Sequence, residues 1–140
     1  MTLLVDAAPL VALADRRDPF QETIENILSE ERGQLIVPAP VTAEVDYLLG
    51  RRLGSGARRA FLDDLAAGRF AAECLETDDY VTVAELDSAY AELEPGLADL
   101  SLVVLARRFR IRRLLTFDER HFRAIRPLQG GSFTLLPADA

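Results

Sequence analysis

The stretch Leu3-Leu4-Val5-Asp6-Ala7-Ala8-Pro9-Leu10 decides how this chain is to be read. Leu3-Leu4-Val5 is apolar on both faces, the mark of a short buried strand. Pro9 suits the first turn of a helix running to about Ala14. Between them stands Asp6, a carboxylate at the corner of a strand-to-helix unit. Carboxylates are almost never buried unless they are paired or coordinate a metal.

The same alternation continues outward. Pro19 opens a second helix with Phe20, Ile24, Ile27 and Leu28 on one face, and Gly33 ends it. Leu35-Ile36-Val37 reads as a second strand. A helix then runs from Pro40 through Leu49, stopped near Gly54, and Ser55 is placed to cap the next one, to about Ala67. Residues 70–75 read as a third strand, followed by a helix capped by Thr77. Pro95-Gly96 breaks the chain before a nearly all-apolar segment, Ala98 to Phe109, which predicts a central buried helix. Leu114-Leu115 and residues 133–136 supply the last two strands, the final one at an edge. Strands alternating with helices predict an α/β fold, a mostly parallel sheet of four to five strands flanked by helices. A length of 140 residues fits one domain, 1–140, with a real core.

Composition narrows the function classes. No apolar run reaches the ~18 residues a membrane span needs. The opening Met1-Thr2-Leu3-Leu4-Val5-Asp6 lacks the basic region and cleavage site of a signal peptide, which points to the cytoplasm. Cys74 is the only cysteine, which excludes an internal disulfide; beside Ala71, Ala72 and Leu75 it reads as a small buried hydrophobe. The net charge is −7, a weak argument against nucleic acid, yet all 16 basic residues are arginine and many come in pairs. Arginine forks match phosphate geometry. The densest cluster is Arg107, Arg108, Arg110, Arg112 and Arg113, a candidate RNA contact. Cations at a helix C-terminus are also stabilising without any ligand.

Three more acids join Asp6. Glu44 lies three residues after Val41 and four before Leu48, so it shares their helix line, whereas Asp46 points elsewhere. Asp99 lies three, four and seven residues before Leu102, Val103 and Ala106, on the apolar helix. Asp118 follows a strand end at Thr116-Phe117 and can cap a short turn, with Glu119 pointing outward. Each has a local structural explanation: an Asx-turn for Asp6, a favourable helix dipole for Glu44 and Asp99, a cap for Asp118. Together all four fall at one edge of the predicted sheet, where ligands of open α/β sheets bind. Like charges that close raise one another's pKa unless a cation holds them. Acids without a His or Cys cluster suit Mg2+ or Mn2+ and not zinc. His121, the only histidine, reads as structural. A divalent ion among carboxylates supports phosphodiester hydrolysis by activating water and stabilising phosphate charge.

These residues resemble a PIN-domain nuclease and, in size and layout, a VapC-like toxin of a bacterial toxin–antitoxin pair. The resemblance spans essentially the whole chain. It is carried by residues 4–13, by Val41-Thr42-Ala43-Glu44-Val45, by Leu97-Ala98-Asp99 and by Leu114-Leu115-Thr116-Phe117-Asp118. It implies a parallel sheet between helices and Mg2+- or Mn2+-dependent endoribonuclease activity on tRNA or other structured RNA. The implied acids are Asp6, Glu44, Asp99 and Asp118, with the metal on Asp6, Asp99 and Asp118 and Thr116 orienting the last acid. It further implies a homodimer and a cognate antitoxin whose tail, often through an arginine, enters the acidic site. Ala8 departs from the Ser or Thr common at that position, removing a candidate helix cap and site contact.

Two other acidic pockets resemble this one. A phosphoacceptor receiver domain and a haloacid-dehalogenase-like phosphatase both need a lysine, and the chain has none. The alternative left standing is a catalytically weak or inactive PIN-like module that binds protein or RNA.

Overall fold

In the computed structural model, which describes residues 2–140, β1 (Leu3–Val5) lies at the centre of the sheet. All three of its residues are fully buried, as an apolar strand covered on both faces must be. It pairs in parallel with β2 (Leu35–Pro38) on one side and β4 (Arg113–Leu115) on the other. Leu4 is the shared register point, opposite Ile36 on β2 and Leu114 on β4. Outside these lie β3 (Ala71–Glu73), beside β2, and β5 (Thr134–Leu136), beside β4. The order is β3-β2-β1-β4-β5, with every pair parallel.

The winding matters for function. From β1 the chain moves outward to β2 and β3, then returns across the sheet to β4 and β5. The direction therefore reverses between β1 and β4. At such a switch point the connections leave the two strand ends in opposite directions and open a crevice beyond the carboxyl edge.

Seven α-helices cover the described sheet: α1 (Ala7–Ala14), α2 (Gln21–Glu30), α3 (Ala39–Arg52), α4 (Ser55–Ala66), α5 (Thr77–Ala89), α6 (Leu97–Phe109) and α7 (Glu119–Ala124). A 3-10 turn, Ala91–Leu93, precedes α6. α1 packs on α2 and α3, α3 on α4 and α6, and α5 on α6. The buried run from Leu100 to Ala106 makes α6 the most enclosed helix, matching its apolar sequence. Ile24 and Leu28 seat α2, while Phe20, just before it, remains 48% exposed.

Several local expectations change. Asp6 itself caps α1 by accepting from the Ala7 backbone N–H at 2.8 Å, so Ala8 is an exposed first-turn residue and removes no cap. Gly54, with φ at +98°, precedes α4 where Ser55 was expected to cap; Ser55 is already helical. Glu76, not Thr77, caps α5: its backbone N–H donates to Asp79 Oδ2 at 2.8 Å, closing a capping box. The third strand is only Ala71–Glu73, and Cys74 just beyond it is exposed. The expectation of a buried thiol fails because β3 is an edge strand, where small apolar neighbours do not guarantee cover.

Candidate active site and metal centre

Asp6 follows β1 and Thr116 follows β4, so the two meet across the switch point. The Asp6 N–H donates to the Leu115 carbonyl at 2.9 Å, which carries the β1–β4 ladder one residue past the strand. Both Asp6 oxygens are engaged: Oδ1 accepts from the Ala7 N–H and Oδ2 from the Thr116 hydroxyl at 2.7 Å. The Thr116 oxygen in turn accepts from the Asp118 N–H at 3.0 Å. A hydroxyl has one proton, so these partners fix its direction: Thr116 donates to Asp6 and accepts from Asp118. Thr116 is 1% exposed, so this short chain is shielded from solvent.

Asp6 is 7% exposed. Burial pushes its carboxyl up to about 6, against the two hydrogen bonds that pull it down, and the charges of Asp99 and Glu44 push further. Asp99 stands on the first turn of α6, and its Oδ2 lies 3.5 Å from the Gly96 N–H. Burial raises its pKa, and the neighbouring Asp118 charge adds to the rise. Asp118 caps α7, accepting from the His121 N–H through Oδ1 at 2.9 Å. Glu44, on α3, is raised by burial first and by Asp99 second. The structure thus places Asp99 in electrostatic reach of each of the other three acids, which come from three other parts of the chain.

The placement of Glu44 differs from the sequence reading. Val41, Val45 and Leu49 form the buried face of α3, Leu48 is half-buried, and Glu44 is exposed at the margin. Asp46, expected to be solvated, is half-buried and lies 2.7 Å from the Arg58 guanidinium.

His121, read from the sequence as structural, stands beside the acids. Its Nδ1 is 2.6 Å from Asp118 Oδ2 and 3.4 Å from Asp99 Oδ2, and its Nε2 is 2.9 Å from the Leu93 carbonyl. Burial alone lowers its pKa, but the Leu93 carbonyl and the carboxylates of Asp118 and Asp99 outweigh that and hold it above the usual range. The only available sequence signal was its i,i+3 spacing from Asp118 on a short helix. Asp99, Asp118 and His121 each offer one ligand atom, all within 4.8 Å of one another. The donor set is carboxylate-rich and close enough to share an ion, which fits a divalent cation.

The arginine cluster is not brought to the acids. Arg113 opens β4 and Arg107 and Arg108 end α6, so all three lie toward the opposite edge of the sheet. Eight helical rises put Arg107 about 12 Å along α6 from Asp99. Four of the five already have partners. Arg107 reaches Thr82, Arg108 the Cys74 carbonyl and Asp79, Arg112 the carbonyls of Gln129 and Gly130, and Arg113 Glu31. Arg110 is exposed and ends α6 in the left-handed region. On the other side of the site, the exposed Phe20 packs against Phe117 with ring centroids 5.1 Å apart. With Thr116, Glu119 and Pro137 they line an apolar notch beside the acids.

The sequence and fold of the chain match known proteins. The chain is 35% identical over 135 residues to ribonuclease VapC26 of Mycobacterium tuberculosis, covering 96% of this chain and all of that protein. Its fold matches that of M. tuberculosis VapC20, described as a sarcin-ricin loop cleaving toxin. The TM-score is 0.80 at 21% identity, over 87% of this chain and 94% of that one. It also matches Rickettsia felis VapBC2, solved bound to a DNA fragment from its promoter. There the TM-score is 0.69 at 15% identity, over 96% and 97% of the two chains. The PIN-domain profile matches residues 3–127, and the chain belongs to the PIN-domain family.

Proposed function

We propose that the chain is a divalent-metal-dependent endoribonuclease, the toxin of a toxin–antitoxin pair, using Mg2+ or Mn2+ to hydrolyse structured RNA such as tRNA. The observation that carries this reading is the convergence of Asp6, Glu44, Asp99 and Asp118 at the β1–β4 switch point, with raised pKa values on three of them. Kinship with a ribonuclease at 35% identity supports RNA as the polymer. The carboxylate-rich donor set supports a hard divalent ion, which Asp6, Asp99 and Asp118 would hold. When bound, such an ion activates water and stabilises charge building on the phosphate.

The chain's own residues do the rest. Thr116 and the Ala7 N–H lock the Asp6 carboxylate in one orientation. Asp118 is fixed by its cap, leaving Oδ2 directed at the cluster. Glu44, exposed and raised in pKa, is suited to take a proton from the attacking water. The same concentration of negative charge suits a cationic antitoxin tail, which would neutralise the acids and shut the site. A second copy of the chain completes the assembly expected of the family.

The test is Mn2+-dependent cleavage of structured RNA by the full chain. Asp6→Asn and Asp99→Asn are each expected to lower cleavage by about 100-fold or more, with circular dichroism unchanged. Undiminished cleavage in both variants would overturn the assignment. A wild type that binds RNA without cutting it would replace the enzyme with a PIN-like binding module.

A further inference from the structure

We propose that His121 is itself a metal ligand, through Nδ1, and that it shifts the ion preference of the site from Mg2+ toward Mn2+. This rests on the metal-centre reading above. A carbonyl oxygen can only accept, so the 2.9 Å contact with Leu93 requires the hydrogen on Nε2. The opposite nitrogen, Nδ1, then faces the two carboxylates, at 2.6 Å from Asp118 Oδ2 and 3.4 Å from Asp99 Oδ2. Neighbouring donors on an octahedral ion with bonds near 2.1 Å are about 3 Å apart. The two observed spacings bracket that value.

The surroundings are those of a ligand. Metal-bound histidines almost always donate their second ring N–H to a carbonyl or carboxylate, which sets the ring's orientation. The Leu93 carbonyl meets that requirement here. The imidazole is also fixed relative to Asp118, whose Oδ1 accepts from the His121 backbone N–H at 2.9 Å while Oδ2 faces Nδ1. Leu93 closes the 3-10 turn that leads into α6, so the segment that aims the imidazole also delivers Asp99. Ring, Asp99 and Asp118 are therefore held together by backbone bonds that need no ion. An imidazole nitrogen is a poor ligand for hard, oxygen-seeking Mg2+ and an acceptable one for first-row transition ions. Mn2+ combines that tolerance with affinity for carboxylates.

The chain holds a single histidine, so a histidine label reports on one residue. The experiment uses untagged full-length protein with Mn2+ alone, read by pulsed electron paramagnetic resonance and by calorimetric titration. The expected result is an imidazole 14N coupling to bound Mn2+ that is replaced by a 15N coupling when the protein carries 15N-histidine. His121→Gln is expected to weaken Mn2+ binding about tenfold or more and Mg2+ binding by a much smaller factor. Bound Mn2+ without nitrogen coupling would overturn the ligand assignment and leave the carboxylate site intact. An equal loss for both ions in the variant would also overturn it, reducing His121 to an ion-pair partner of Asp118. Absence of any Mn2+ or Mg2+ binding by the wild type would instead sink the metal-centre reading, and this inference with it.

Discussion

Thr116 carries the tightest constraint at the scale of single residues, because its one hydroxyl serves two acids. It donates to Asp6 and accepts from the backbone of Asp118, so it sets the spacing between the ends of β1 and β4. Thr116→Val keeps the shape and removes both bonds. It should cost about 1–3 kcal/mol, since a half-buried N–H and a buried carboxylate each lose a partner. The Asp6 pKa should rise further, because the Thr116 bond is what chiefly opposes burial there. A urea melt checks the first effect; a cleavage profile displaced to higher pH checks the second. Thr116→Ser should restore both. The role of Thr116 was foreshadowed by its place two residues before Asp118, but its partner Asp6 lies 110 residues away. His121 shows the opposite case. Its one local partner is Asp118, and the contacts to Leu93 and Asp99 that draw it further into the site are 28 and 22 residues distant, visible only after folding.

Among the secondary-structure elements, α6 links the two edges of the molecule. Its first turn presents Asp99 to the acids, and its last turn places Arg107 and Arg108 toward the far edge. The apolar run made the helix and its burial legible, because a segment with no polar face must be enclosed. What α6 does with its arginines was not legible, since cations end helices for electrostatic reasons with or without a ligand. Arg108 ties α6 to Asp79 on α5 and to the Cys74 carbonyl beyond β3. Arg108→Ala should therefore destabilise the fold by about 1–2 kcal/mol and leave RNA cleavage per folded molecule unchanged. Thermal denaturation and single-turnover cleavage separate the two outcomes; a loss of RNA binding at full stability would restore this cluster as the substrate contact. For α3 the periodicity gave the correct helix and buried face but set Glu44 too far inward. One helical position spans 100°, so a residue at the margin of a face can read as part of it.

For the molecule as a whole, the clustered acids set a relation between pH and stability. The folded pKa of Asp6 is about 6 against an ordinary 3.8, so between those values the folded chain binds a proton that the unfolded chain does not. Stability of the ion-free protein must fall as pH rises through that window. Glu44 and Asp99 are shifted in the same direction, and the raised His121 likewise contributes stability that is lost at higher pH. Urea titrations with a chelator should show the protein less stable at pH 7.5 than at pH 5, by about 1.4 kcal/mol from Asp6 alone. Mn2+ at 100 times its Kd should add about 3 kcal/mol at the higher pH. A flat profile in chelator would mean that the acids do not share one site. Local pattern alone carried the α/β class, the parallel sheet, the buried central helix and the choice of candidate acids, because period, strand-end position and apolar runs are local properties. Tertiary structure alone decided the strand order that puts β1 beside β4, the Asp6–Thr116–Asp118 chain, the recruitment of His121 and the separation of the arginines from the acids. Those depend on which strand ends become neighbours, and that is fixed by packing between segments far apart in the chain.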